Sequence, residues 1–294
     1  MKNAPVRHAL EYAALWPFLR LLRALPHGAS RALGAGLGGL AHALDGHRRR
    51  VALGNLAQAL PELPAGERAR IARGSFRSIG AAFCDALSAA RFDRVELCRR
   101  VTLVGLEHLA AAEAPGRGVV LLTAHYGTWE IAPQAVSQAR GPLAVVGRPA
   151  DNPHVDREIR ALRERFGNRM LDKRGSVREL FRILRGGGRV GLLIDQRVRP
   201  EEGIDVPFFG RPALTSPIVA RLALRTRAPI VLVFAEPEPE GRYRVEIHPA
   251  IEPEGPDDDA ATYELTRRCL EACERVIRAR PERWLWAHRR WRHA

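Results

Sequence analysis

Hydrophobic positions recur at a helical spacing along the first hundred residues. Leu and Ala return every three or four positions over residues 1–100, and Pro26, Gly46 and the segment 61–66 interrupt the pattern. We therefore predict a helical N-terminal region that covers residues 1–100. The glycines within residues 34–39 are dense for a helix, and they predict close packing against another helix or against lipid.

From about residue 118 the pattern changes to short apolar runs separated by helical segments. Runs of this length are typical of buried strands. Strands that alternate with helices predict an α/β core over residues 101–294, with a mostly parallel central sheet flanked by helices. Residues 242–248 alternate as an edge strand does. The predicted strands are 119–123, 143–146, 190–194 and 230–234, and the predicted helices are 129–139, 154–166, 176–185, 216–226 and 259–279.

The segment 9–25 is apolar, but Glu11, Pro17 and Arg20 interrupt it. A spanning helix needs about 20 mostly apolar residues, and this segment is too short and too charged. It predicts an amphipathic helix that lies in a membrane interface, with Trp16 at the level of the lipid headgroups. An ordinary core helix remains open as the alternative.

Composition narrows the class of protein and leaves the partner open. The chain has 294 residues, of which 46% are hydrophobic, so it can bury a sizeable core and is not a disordered chain. Its net charge of +14 favours polyanionic partners, which include nucleic acid, anionic lipid and an acidic carrier protein. The four cysteines lack the spacing of a metal site, and we expect inert buried thiols and no metal.

One pair of residues suggests chemistry. His125 follows the predicted strand 119–123, and Glu130 lies at the expected start of the next helix. Ligands of open α/β sheets gather beyond the carboxyl ends of the strands. A carboxylate bonded to one imidazole nitrogen makes the other nitrogen more basic. The pair thus predicts a general base that takes a proton from an attacking hydroxyl, although a histidine and a glutamate at this spacing are common by chance.

The run HYGTWE that contains this pair resembles the H-[FY]-G-N-W-E block of the bacterial lipid A late acyltransferases, the lauroyl and myristoyl transferases of lipopolysaccharide assembly. Five further blocks resemble segments of that family in the same order, and together they extend over most of the chain. They are RRRVALGNLAQALP at 48–61, Arg148-Pro149 with Asn152-Pro153, GRVGLLIDQ at 188–196, VPFFGRPALT at 206–215, and PERWLWAHRRWR at 281–292.

The resemblance implies a glycerolipid-acyltransferase-like fold with a membrane-associating N-terminal region. It also implies an O-acyltransferase that moves a fatty acyl chain from acyl carrier protein or coenzyme A to a hydroxyl of a lipid A precursor. The reaction would need no resident cofactor, and it would occur at the cytoplasmic face of the inner membrane. A phospholipid or another glycolipid remains an alternative acceptor.

The same resemblance assigns roles to the candidate site residues. It makes His125 the base and Glu130 its orienting partner. Arg148 would contact a phosphate or the developing charge, and Asp195 would shape the site with Gln196 beside it.

Three further positions, Gly127, Thr128 and Arg174, are candidates for contact with the substrate or the oxyanion. Thr128, after the Gly127 turn, stands where the family usually has Asn, and its hydroxyl could donate to the oxyanion with a shorter reach. Arg174 precedes a predicted helix whose N-terminus could bind an anion, or it belongs to a solvated basic loop.

Two other classes of function fit less of the chain. A nucleic-acid-binding module would need a recognisable reading element, which the sequence lacks, so we expect no nucleic-acid partner. A non-catalytic membrane scaffold would account for the charge and for segment 9–25, but not for the His125 block.

Overall fold

The computed structural model describes residues 4–173 and 175–291, and this part of the chain folds into helices on both faces of a central sheet. The helices are α1 (Ala4–Ala24), α2 (His27–Leu44), α3 (Gly46–Ala59), α4 (Ala65–Ala89), α5 (Arg94–Arg100), α6 (Leu106–Glu113), α7 (Ile131–Arg140), α8 (Pro153–Arg163), α9 (Val177–Arg185), α10 (Ile218–Thr226) and α11 (Asp259–Ala279). The strands are β1 (Val101–Val104), β2 (Val119–Thr123), β3 (Ala144–Gly147), β4 (Arg169–Asp172), β5 (Arg189–Leu193), β6 (Ile204–Phe208), β7 (Arg211–Thr215), β8 (Ile230–Pro237) and β9 (Tyr243–Ile247).

The central sheet has the strand order β1-β9-β8-β2-β5-β3-β4. Strands β8, β2, β5, β3 and β4 run parallel, while β9 pairs antiparallel with β8 and parallel with β1. This confirms the predicted α/β fold with a mostly parallel sheet. The prediction of an edge strand at 242–248 was wrong, because β9 lies between β1 and β8. Its alternation of buried and half-buried residues reflects one covered face and not a free edge.

The core lies on both faces of the sheet. Along β2, Val120 and Leu122 pack into one cluster, and Val119 and Leu121 pack into the other. Successive residues of a strand point to opposite faces, so this division is the expected one. Residues of α10 and α11 cover the first face, and residues of α6 and α7 cover the second.

The glycines of α2 allow a close helix contact with α4. A Cβ on Gly38 would lie 2.0 Å from the carbonyl oxygen of Phe76, and a Cβ on Gly80 would lie 2.3 Å from that of Gly34. Any larger side chain would push the helices apart. Of the two predicted roles for these glycines, packing against another helix is therefore the one that Gly34 and Gly38 fulfil.

Helix α1 is partly packed on the protein and partly exposed, and its predicted place in a membrane interface stays a prediction. Leu19 and Leu22 are buried, whereas Leu10, Trp16 and Leu21 are exposed by 67%, 47% and 48%. The helix thus packs on the protein and also presents apolar side chains to its surroundings. In the described ranges, no helix has the length and apolar character needed to cross a membrane.

The N-terminal helices are joined to the core through buried hydrogen bonds. The Asn55 side-chain amide of α3 donates to the carbonyl oxygens of Trp286 and His288, at 2.8 and 2.7 Å. The Ser75 hydroxyl of α4 donates to the carbonyl oxygen of Trp284. These contacts connect the region before residue 100 with the region after it. The predicted division into two regions at that point stays a prediction.

Candidate active site

The carboxyl ends of β2 and β5 bring two polar side chains together. These strands are parallel neighbours, and Thr123 at the end of β2 pairs with Leu193 at the end of β5. His125 lies two residues beyond the end of β2, and Asp195 lies two residues beyond the end of β5. Adjacent parallel strands in register carry equivalent positions to the same edge of the sheet, so the two side chains meet there.

Asp195 holds His125 through two hydrogen bonds, one with the imidazole and one with the backbone. Its Oδ1 lies 2.9 Å from Nδ1 of His125, and its Oδ2 accepts from the His125 backbone N–H at 2.8 Å. Trp284 Nε1 also donates to Oδ2, at 2.8 Å. Since an ionised carboxylate only accepts, the contact places a proton on Nδ1 and leaves the lone pair of Nε2 free to act as a base.

The pair is also coupled electrostatically. Burial alone would raise the pKa of Asp195, but the charge of His125 and the hydrogen bonds from His125 and Trp284 lower it to about 2. Burial acts to lower the pKa of His125, and the Asp195 carboxylate outweighs it and raises that pKa above its ordinary value. The imidazole is therefore a stronger base than a free histidine.

The predicted contact between Glu130 and His125 was wrong. Glu130 precedes α7, and both of its oxygens accept from the Arg163 guanidinium, at 3.0 and 2.5 Å. Oε1 also accepts from Trp129 Nε1 at 3.2 Å. Helix α7 starts immediately after Glu130, and this directs the carboxylate towards α8, while Asp195 holds the place beside the imidazole. The charge of Glu130 still contributes to the raised pKa of His125.

Gln196 lies where the sequence suggested. Its side chain is exposed, and Nε2 is 3.3 Å from Nε2 of His125. An amide N–H directed to this nitrogen is compatible with the tautomer that Asp195 sets. A substrate hydroxyl that replaces this contact would meet the basic nitrogen and have an amide donor beside it.

The oxyanion contacts predicted for Gly127 and Thr128 do not fit their positions. Their backbone N–H groups already donate to the carbonyl oxygens of Arg283 and Ala235, at 3.0 and 2.8 Å. Thr128 is 3% exposed, and its hydroxyl lies in the interior without a hydrogen-bond partner in the part of the chain that is described. Gly127 has a φ of +56°, and a Cβ there would lie 2.2 Å from the Ala235 carbonyl oxygen, so both residues form the turn that carries His125.

A mixed-charge groove of about 790 Å³ lies at the same edge of the sheet. Arg148 follows β3, Lys173 follows β4 and Arg197 follows β5, and all three line it. The Arg148 guanidinium is exposed and bonded to Asp151 at 2.8 Å, so a phosphate would compete with that carboxylate. Arg174, which the sequence assigned to anion binding, lies outside the described residues.

An apolar cavity of about 60 Å³ opens beside the site, between α7 and the sheet. Trp129, Glu130 and Arg163 stand together in its lining, and the remaining wall is almost entirely aliphatic. The ring of Trp129 is 5.5 Å from the ring of His125. The aliphatic lining includes Leu121, Ala132, Val136, Leu143, Val145 and Gly191.

The C-terminal segment supports the site from the other side, and the sequence analysis missed this role. Trp284 bonds to Asp195, and the Leu285 N–H donates to the carbonyl oxygen of His125 at 3.1 Å. Trp284 is 1% exposed and packs with Phe208 and Phe209. The two phenylalanines are buried core residues. The tryptophan-rich signature at 281–292 was a signal for this segment, but it did not indicate what the tryptophans would contact.

Comparison with known proteins gives one family for the chain. The model of the family described as bacterial lipid A biosynthesis acyltransferase matches residues 1–293. The chain is 28% identical over 285 residues to the lipid A biosynthesis lauroyltransferase of Escherichia coli (strain K12), which covers 96% of this chain and 90% of that protein. It is 28% identical over 262 residues to the phosphatidylinositol mannoside acyltransferase of Mycolicibacterium smegmatis, with coverage of 88% and 84%.

A solved structure, the 1-acyl-sn-glycerophosphate acyltransferase PlsC from Thermotoga maritima, aligns with a TM-score of 0.39 and 14% identity, over 85% of this chain and 100% of that chain. The family match extends over nearly the whole chain and includes the segment that carries His125. The chain therefore belongs to the bacterial lipid A biosynthesis acyltransferase family and is an acyltransferase.

Proposed function

We propose that this enzyme transfers a fatty acyl chain from a thioester donor to a hydroxyl of a lipid A precursor, with His125 as the base and Asp195 as its partner. The observation that carries the proposal is the double contact of Asp195 with the backbone N–H and the Nδ1 of His125. It fixes both the tautomer and the orientation of the ring.

The reaction proceeds without a covalent enzyme intermediate. Nε2 of His125 takes the proton of the acceptor hydroxyl as its oxygen attacks the thioester carbonyl carbon. Asp195 stabilises the imidazolium that forms. The C–S bond then breaks, the leaving thiolate takes the proton back from His125, and an ester and a free thiol result. The amide of Gln196 lies close enough to orient the hydroxyl or the carbonyl oxygen.

The two spaces beside the imidazole suit the two ends of such substrates. The cavity behind Trp129 is apolar, and at about 60 Å³ it has room for roughly four to six water-sized groups, so it suits the inner end of the transferred chain. The groove lined by Arg148, Lys173 and Arg197 suits a phosphate, which both a lipid A precursor and a phosphopantetheine donor carry. Acyl carrier protein and coenzyme A are both candidates for the donor.

We place the enzyme at an anionic membrane surface, as a peripheral protein of the inner membrane. The exposed apolar side chains of α1 and α2 support this location, because Leu10, Trp16, Leu40 and Leu44 could enter the interface while nearby arginines meet phosphates. The Arg20 guanidinium lies 5.3 Å from the centre of the Trp16 ring, so a positive charge stands beside a residue type that is enriched at membrane interfaces.

The test is transfer from a labelled acyl thioester to a panel of lipid hydroxyl acceptors by the purified full-length chain. We expect acylation of the lipid A precursor, loss of transfer in His125→Ala, and normal transfer in the matched control His108→Ala. If the enzyme acylates only a mannosylated phosphatidylinositol, the proposed acceptor is wrong, and the acceptor belongs to the class that the name of the mycobacterial relative gives. Full activity of the His125 variant would overturn the mechanism.

A further inference from the structure

A second apolar space lies among the N-terminal helices, separate from the cavity beneath α7. It is a groove of about 500 Å³ between α1, α2 and α4, and it ends at the C-terminal segment. From Ser75 to Leu87 it follows α4 for about 18 Å, at 1.5 Å per residue. This length is close to the hydrocarbon depth of one membrane leaflet, about 15 Å. The apolar lining includes Phe18, Leu37, Ile79, Phe83, Leu87 and Leu285.

The inner end of this groove, named the acceptor groove below, is lined by residues that contact the surroundings of the catalytic histidine. Leu285 lines the groove, and its N–H donates to the carbonyl oxygen of His125 at 3.1 Å. Phe83 also lines the groove, and its ring packs edge-on against Trp129 with the ring centres 5.6 Å apart. Trp129 in turn contacts the His125 ring and lines the cavity beneath α7. The Phe83–Trp129 ring pair thus lies between the two apolar spaces, and Trp129 also contacts the His125 ring.

The outer end of the groove is apolar and basic. Leu37 and Leu44 of α2 are exposed by 42% and 76%. Arg48 lines the groove, and the Arg49 guanidinium donates to the carbonyl oxygen of His42. The pKa of His42 is lowered by burial and then by the positive charge of neighbouring arginines. A ligand that enters here would have an apolar tail and an anionic headgroup.

We propose that the acceptor groove binds an acyl chain already present on the acceptor lipid, while Trp129 keeps that chain apart from the one being transferred. The inference rests on the proposed function. A bisubstrate reaction between two lipids needs two apolar sites that do not mix, and the ring contact between Phe83 and Trp129 lies between these two spaces. Because Trp129 contacts the His125 ring, an acceptor hydroxyl and a thioester on either side of Trp129 would approach the same nitrogen.

A crosslinking experiment tests which chain lies in which space. The probe is a lipid A precursor whose existing acyl chain ends in a diazirine, bound to the full-length His125→Ala protein. We expect label on peptides of α4 and on the segment around Leu285. Label on α7 or β3, which line the other cavity, would overturn the proposal.

Kinetics of groove-filling variants provide an independent test. Ile79→Trp and Leu87→Trp should raise KM for the precursor about tenfold by displacing methylene groups, with kcat unchanged. Neither should alter transfer to a water-soluble acceptor that has the same hydroxyl and no acyl chain. Val95→Trp is the matched control, because Val95 on α5 is 67% exposed and does not line the groove, and this variant should behave as the wild type.

The outcomes separate this inference from the proposed function. If the wild type fails to acylate the precursor, the proposed function is wrong. If it acylates the precursor but the two tryptophan variants retain a normal KM, or impair the chain-free acceptor equally, only the assignment of the groove is overturned. Activity on the chain-free acceptor also shows that each variant is folded.

Discussion

Replacement of Asp195 by asparagine removes the charge that sets the tautomer of His125, with little change in size. The Asp195 carboxylate accepts three hydrogen bonds, two from His125 and one from Trp284. An asparagine amide has one oxygen and cannot accept all three. The imidazole can then place its proton on Nε2, and its role as a base at that nitrogen is lost.

The magnitude follows from what a general base contributes. Such a group accelerates transfer by about 10²- to 10⁴-fold, equivalent to roughly 3–5 kcal/mol of transition-state stabilisation. We expect Asp195→Asn to reduce kcat by a factor in that range with little change in KM. Hydrogen bonds to a charged group contribute about 1.5–3 kcal/mol each, so the variant should also lose a few kcal/mol of unfolding free energy.

The pH dependence distinguishes a catalytic partner from a structural residue. Activity requires a neutral His125, so wild-type kcat/KM should rise with pH through the raised pKa of His125. In Asp195→Asn the attractive charge is gone, while burial still lowers the pKa, so the residual activity should rise at a lower pH. Titration of kcat/KM against pH with a labelled donor measures both.

The matched control is Asp259→Asn, because Asp259 also pairs with a basic side chain, that of Arg221, but is 98% exposed and lies away from the site. It should keep the wild-type kcat and the wild-type pH profile. The reasoning fails if Asp195→Asn retains the wild-type acid limb, or if its kcat falls by less than tenfold while the protein remains folded.

Three further changes test the parts around this pair. Glu130→Gln should cost about 1–3 kcal/mol of unfolding free energy, because it breaks the partly buried ion pair with Arg163. It should also lower the pKa of His125. An activity loss as large as that of Asp195→Asn would contradict the assignment of Asp195, and not Glu130, as the partner of His125. Gly127→Ala should cost about 2–3 kcal/mol in a denaturant titration, because of its positive φ and its contact with the Ala235 carbonyl, and unchanged stability would refute this. Gly191→Ala should reduce the volume of the cavity beside Trp129 and lower the relative rate with the longest accepted acyl donor about tenfold. If the dependence of the rate on chain length is unchanged, this cavity does not select the acyl donor.

The N-terminal helices and the major strands could be predicted because their hydrophobic patterns are local. Predicted strand 119–123 coincides with β2, and predicted helix 259–279 coincides with α11. Strands β1 (VTLV) and β4 (RMLD) were not predicted, since polar residues leave neither of them with a continuous apolar run. The β6–β7 hairpin was also missed, because prolines in both strands obscure the strand pattern of the VPFFGRPALT block.

The sequence by itself determined the family, the α/β class and the histidine at the end of a strand, because each of these is written in contiguous residues. Only the tertiary structure decided which carboxylate serves that histidine. Glu130 is five residues away along the chain, but the start of α7 directs it to Arg163. Asp195 is seventy residues away, and the parallel pairing of β2 with β5 brings it into contact. Strand order depends on how all the elements pack together, so no local pattern could reveal this partner.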